Sequence, residues 1–116
     1  MSQKPHLLDN KLYKLLREED IGAFNQARSC DETTDLRSGD FRGLDLRDMN
    51  AHSLDMSNAY FRGADLRGID FSRTNLEGAS IAQANISGCL FPKEISADEL
   101  IMSLNHGTRL RYDRSC

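Results

Sequence analysis

The chain has 116 residues, 39% of them hydrophobic and 28% charged, with no Trp and a formal net charge of −3. That is enough for one structural unit, too short for two ordinary domains, and a net charge that gives no general attraction to nucleic acid or anionic membranes. Met1–His6 leads into no apolar leader, no run of about eighteen apolar residues occurs, and Cys30, Cys89 and Cys116 show no CxxC spacing, so the expectation is a cytoplasmic protein of a reducing compartment.

In chain order, a first helix is expected from about Lys11 to Leu16, with Leu12, Leu15 and Leu16 on one face and Asp9 or Asn10 as N-cap. A second should follow with Ile21, Phe24 and Ala27 turned inward. Together they form an N-terminal helical cap over 1–30.

From Leu36 the chain repeats every five residues. Leu36, Phe41, Leu46, Ala51, Met56, Phe61, Leu66, Phe71, Leu76, Ile81, Ile86 and Phe91 are all apolar. Two positions before each centre lies a small or apolar residue, from Thr34 and Gly39 through Leu44, Met49 and Leu54 to Ala84 and Cys89. Between these two registers stands Asp or Asn in nine units: Asp35, Asp40, Asp45, Asn50, Asp55, Asp65, Asp70, Asn75 and Asn85. A period of five fits neither a helix nor a strand, so the chain must turn a corner once per unit. Four units then close one square coil, and twelve units make three coils, about 15 Å tall at the β spacing. Gly43, Gly63, Gly68, Gly78 and Gly88 fall two after a centre, where a tight corner uses their backbone freedom. Ala51 is an undersized centre, and Met49 and Leu54 beside it are expected to fill the space it leaves.

Ala64-Asp65-Leu66-Arg67-Gly68 and Thr74-Asn75-Leu76-Glu77-Gly78 show the pattern at its most regular. On these residues the chain resembles the pentapeptide-repeat family. The resemblance implies an all-β solenoid, a right-handed quadrilateral β-helix of about three coils, over residues 31–93. Tyr60, Ser80 and Leu90 depart from the pattern where Asp or Asn is usual.

Stacked coils need end caps, because each end exposes apolar side chains and unpaired backbone. Pro92 stops the repeat, and Ser96-Ala97-Asp98-Glu99 reads as a capping box opening a helix that ends at Gly107. This C-terminal helix and tail, 94–116, is apolar on more than one face. Leu100, Ile101 and Leu104 are therefore candidate contacts of a homodimer as well as of the coil. Thr108–Arg114 alternates polar and apolar residues and is a candidate strand pairing with the last coil or a partner subunit.

The charged surface offers a candidate partner-binding face. A twenty-residue coil stacks Arg42 with Arg62 and Arg47 with Arg67, with Asp45 and Asp65 beside the second pair. The same charges also read as a self-compensating solvated surface. Asp35, Asp55 and Asn75 form one carboxylate-rich column, and Asp45, Asp65 and Asn85 another. Since some proteins of the family it resembles imitate duplex DNA, the alternative is a DNA-mimicking regulator or protector of a type II topoisomerase. Ten acidic against seven basic residues from Asp31 to Lys93, on a three-coil stub, dilute that potential. His6, His52 and His106 are scattered, so no metal or cofactor is expected, and no catalytic residue or small-molecule substrate. A solid coil offers no obvious pocket. Cys89 falls in the inward register and His106 at a helix C-terminus. A thiol reaction at Cys89 or Cys116 is a third reading. The function expected is a non-catalytic protein-interaction or scaffolding module with an unknown protein partner, without direct nucleic-acid or membrane binding.

Overall fold

The computed structural model describes Leu8, residues 10–28 and residues 35–113. Asp9, Cys30, Asp31, Thr34, Arg114 and Cys116, and with them His6, lie outside the described residues. Three helices are present: α1 (Lys11–Arg17), α2 (Ile21–Arg28) and α3 (Ala97–His106).

Between α2 and α3 the backbone returns to the same side every twenty residues. The N–H of six centres donates to the carbonyl nineteen residues on: Phe41 to Tyr60, Leu46 to Asp65, Met56 to Asn75, Phe61 to Ser80, Leu66 to Asn85 and Phe71 to Leu90, all at 2.8–2.9 Å. The following coil answers with bonds such as Tyr60 N–H to Gly39 O and Asn85 N–H to Ala64 O. This ladder produces parallel bridges at Asp40–Tyr60, Asp45–Asp65, Asp55–Asn75, Tyr60–Ser80, Asp65–Asn85 and Asp70–Leu90. They remain isolated: among the described residues no extended strand forms, so the bridges stop short of the strands that an all-β solenoid would show. The reason lies in the corners. After each centre a tight turn closes from the centre's carbonyl to the N–H three residues on, as in Leu44 to Phe41, Ala64 to Phe61 and Cys89 to Ile86, leaving little extended backbone per side.

These corners explain the sequence. The residue two after the centre takes positive φ in nearly every unit, as a turn with a left-handed third residue requires. Gly43, Gly63, Gly68, Gly78 and Gly88 do so, and so do Ser38, Asp48, Ser53, Asn58 and Gln83. The Asp or Asn before each centre accepts the backbone N–H two residues on, in all nine units from Asp35–Arg37 to Asn85–Ser87. This bond fixes the approach to the corner and is why short acceptor side chains recur there.

The inside is filled. Centres Leu36 through Ile81 are 0–2% exposed, and Met49 (4%) and Leu54 (5%) are buried beside Ala51. Phe41 and Phe61 stack at 5.3 Å, Phe71 and Phe91 at 5.8 Å, and a tilted contact of 6.2 Å joins Phe61 to Phe71. Ile86 and Phe91, in the last coil, are only partly buried.

Both caps work by supplying hydrogen bonds where a further coil would. At the N-terminal end Asn10, the N-cap of α1, donates to Asp35 O; Tyr13 Oη donates to Asp40 O and its ring meets Phe41 edge-on; Glu19 accepts Asp45 N–H; Asn25 accepts Asn50 N–H; Arg28 donates to His52 O. Each of the four sides has a partner. Leu12, Leu16 and Phe24 are buried, Leu15, Ile21 and Ala27 partly so; Tyr13 and Arg28 join the buried set without having been expected there. At the other end Leu110 exchanges backbone bonds with Gly78 and Ala79, Tyr112 Oη accepts Leu76 N–H and donates to Thr74 O, Ser103 Oγ accepts Ile81 N–H, and Leu104 O accepts Gln83 N–H. Thr108–Tyr112 therefore pairs with the last coil but takes no strand geometry.

Ser96 caps α3 by accepting Glu99 N–H, and Gly107 ends it at φ 71°. The expected reciprocal half of the capping box is replaced: Glu99 turns to Arg111 and holds both its N–H and its guanidinium. No helix among the described residues is long and apolar enough to cross a membrane.

Candidate protein-binding surfaces

The repeat places the four candidate arginines, and Arg37 with them, on the corners after the centres, exposed to solvent. Four of them close a local clamp. Arg37, Arg42, Arg47 and Arg67 each grip the Asp two residues earlier with two guanidinium nitrogens at 2.7–3.0 Å. The geometry is the bidentate fork that suits Arg to carboxylates. Each carboxyl is held below its usual range, first by the side-chain bond from its Arg, and Asp45 is brought to about 2. Between coils Arg47 also reaches Asp65 at 3.5 Å.

The column of Arg47 and Arg67 is therefore closed on itself. With Glu19, Ile21, Asp45 and Asp48 the two arginines line a shallow groove of about 480 Å³ whose charges compensate. Exposed pairs of this kind contribute little to stability, and their partners already occupy the guanidinium groups.

The column of Arg42 and Arg62 differs, because the residue before Phe61 is Tyr60 where the four clamped units carry Asp. Arg42 is clamped by Asp40, whereas no carboxylate meets Arg62 among the described residues. The Tyr60 hydroxyl instead accepts from Arg109 at 2.7 Å, and the Arg109 guanidinium lies 5.4 Å from the Tyr60 ring centroid while also donating to Gly78 O. Arg42, Tyr60, Arg62, Ser80 and Arg109 line a groove of about 330 Å³. Arg109 was not among the candidate residues. It lies nearly fifty positions after Tyr60, in a segment legible only as an alternating tail, and nothing in its spacing marks the approach.

A larger groove, about 800 Å³, runs along the seam between the C-terminal segment and the coil, with Glu77, Glu99, Met102, Leu110 and Tyr112 among its walls. Of the dimer candidates, Leu100 and Leu104 pack against the core, whereas Ile101 is 54% exposed, with Met102 at 44% beside it. Cys89 donates its thiol to Leu66 O at 2.8 Å, and burial pushes its pKa up, the opposite of an activated nucleophile. His52 is exposed on a corner and His106 stands in the last turn of α3. Among the described residues no group of His, Cys, Asp and Glu gathers as a metal site.

The C-terminal end of the coil has a second distinctive surface. The bonds from Tyr112, Leu110, Ser103 and Leu104 serve the sides at Leu76 and Ile81 only. The N–H groups of Ile86, Gly88 and Phe91 and the carbonyls of Ala84 and Cys89 have no hydrogen-bond partner among the described residues. Leu90, on the same half of the coil, is 58% exposed.

No curated protein and no solved structure matches the chain. Residues 55–91 match the family model of pentapeptide repeats in eight copies, and the ladder of twenty-residue returns described above extends the same geometry back to Ser38. Residues 55–91 carry the repeats of the pentapeptide-repeat family.

Proposed function

We propose that this chain is a non-catalytic protein-interaction module that docks through the open half of its last coil. In this reading residues 31–93 wind as a right-handed quadrilateral β-helix between helical caps at 1–30 and 94–116. The observation that carries it is the inequality of the two ends: among the described residues the first coil is capped on all four sides, the last on two. Unmet backbone donors and acceptors beside partly exposed Ile86 and Phe91 and exposed Leu90 form an edge suited to another chain. The occupant is a second copy of this chain. Each copy brings the same edge together with Ile101 and Met102 on α3, so the contact is self-complementary in kind. Leu100 and Leu104 then serve the core and Ile101 the partner. The module works in the cytoplasm, where its cysteines stay reduced.

A DNA-mimicking regulator of a type II topoisomerase requires a continuous row of free carboxylates. The Arg clamps at Asp35, Asp40, Asp45 and Asp65 interrupt such a row, so the interaction module is the better supported reading. Light scattering over a concentration series tests it. Wild-type protein should reach twice the 13.1 kDa chain mass, and the double variant Leu90→Glu, Ile101→Glu should remain a monomer with its thermal midpoint unchanged. A wild-type monomer at high micromolar concentration refutes self-docking.

A further inference from the structure

The molecule contains four copies of one recognition unit and a fifth with its central piece replaced. In Arg37, Arg42, Arg47 and Arg67 the guanidinium fork is filled by the carboxylate two residues earlier. Arg62 occupies the same corner, in register with Arg42 one coil before, but Tyr60 provides a phenol in place of a carboxylate. The phenol does not fill the fork; it is turned to Arg109. Arg109 therefore adds a second guanidinium to a groove that Arg42 already borders, and no acidic side chain lines it. Three guanidinium groups line it, and among the described residues no carboxylate meets that of Arg62.

We propose that the groove of Tyr60, Arg62, Ser80 and Arg109 binds a carboxylate side chain from an acidic peptide segment of a partner protein, which completes at Arg62 the clamp that the other four units close internally. The incoming carboxylate takes the two forward-facing nitrogens of Arg62, as Asp65 does on Arg67. Arg109, anchored by its bonds to Tyr60 Oη and Gly78 O, adds attraction across the groove. The Ser80 hydroxyl, directed at Gly107 O over a long 3.4 Å, lines the same groove and turns toward the carboxylate. The flat face beneath, built of tight corners, lets an extended peptide lie along it without displacing core residues. The site is on a side wall and operates whether or not the chain self-associates through its open end.

The test is a titration of ¹⁵N-labelled protein with N-acetyl-tetraglutamate amide at low ionic strength, following the arginine Nε–H signals. The expected result is a saturable shift at Arg62 and Arg109. Arg62→Gln should weaken binding about tenfold or more, the scale of a lost charge-assisted bidentate bond. Arg67→Gln, whose fork is already occupied, should leave the affinity unchanged. Tyr60→Asp supplies the missing internal carboxylate and should abolish peptide binding while the circular dichroism melt is retained. Equal losses in the Arg62 and Arg67 variants, a Tyr60→Asp protein that still binds, or no saturable shift at Arg62 would each overturn the assignment. Tighter binding of inorganic phosphate at the same nitrogens would overturn the carboxylate as ligand. Light scattering of the Arg62→Gln protein should match wild type, which separates this site from the open end.

Discussion

Replacing Ser103 by Ala tests whether side chains truly stand in for the missing fourth coil. Ser103 is 0% exposed and its hydroxyl accepts the N–H of Ile81, itself 1% exposed, at 3.0 Å. Without the hydroxyl that N–H is buried with no acceptor, and the space left is too small to admit water readily. An unsatisfied buried donor costs about 1–3 kcal/mol, partly offset because Ala suits a helix interior better than Ser by some tenths of that. The net expectation is a loss of about 1–2 kcal/mol, or roughly 4–8 °C in thermal midpoint for a domain near this size. Urea denaturation followed by circular dichroism measures it, with Ser87→Ala as control: Ser87 is exposed and its bonds are made by its backbone, the N–H donating to Asn85 Oδ1 and the carbonyl accepting Gly68 N–H. Amide exchange at Ile81 should accelerate in parallel. If Ser103→Ala costs no more than Ser87→Ala, the hydroxyl is not holding the end of the coil and the capping argument fails.

Two further predictions concern the repeat itself. Asp35, Asp40, Asp45, Asp65, Asp70 and Glu99 all have lowered pKa values in the folded chain. Their contribution to stability is therefore complete above the unfolded carboxylate value of about 4 and lost as pH falls through the folded values, about 2 for Asp45. The melting midpoint should be level from about pH 7 to 5 and drop between about pH 4 and 2; a decline already under way above pH 5 contradicts this. At the corners, Gly63 has φ 69° with nothing within 4 Å of an added Cβ, so Gly63→Ala should cost about 1 kcal/mol from backbone strain alone. Gln83 takes φ 56°, and Gln83→Gly should stabilise by up to about 1 kcal/mol in the same urea assay. Opposite signs at the two positions are the diagnostic, and like signs refute the corner account.

The sequence by itself determined the period, the inward registers and the three helices, because each is written in spacing. A centre every fifth residue needs only burial to be read, and Ser96 before an apolar stretch needs only the geometry of a helix start. The role of the nine Asp and Asn residues was half visible: their recurrence marked a constraint, while the Asx bond to the second residue on became clear only with the backbone in place. The absence of extended strands followed from turn closure, which consumes the backbone that a strand would use. Tertiary structure decided which charges are spent. The spacing put Asp45 and Asp65 two before Arg47 and Arg67 and Tyr60 two before Arg62, but the fold closed the first two forks and turned Tyr60 to Arg109. It also carried Glu99 away from its capping box to Arg111 and brought Arg109 to Tyr60 across 49 positions. The unequal ends were illegible for the same reason: a cap is defined by which backbone groups it reaches, and that depends on the path of α3 and the C-terminal segment over the last coil, not on their composition.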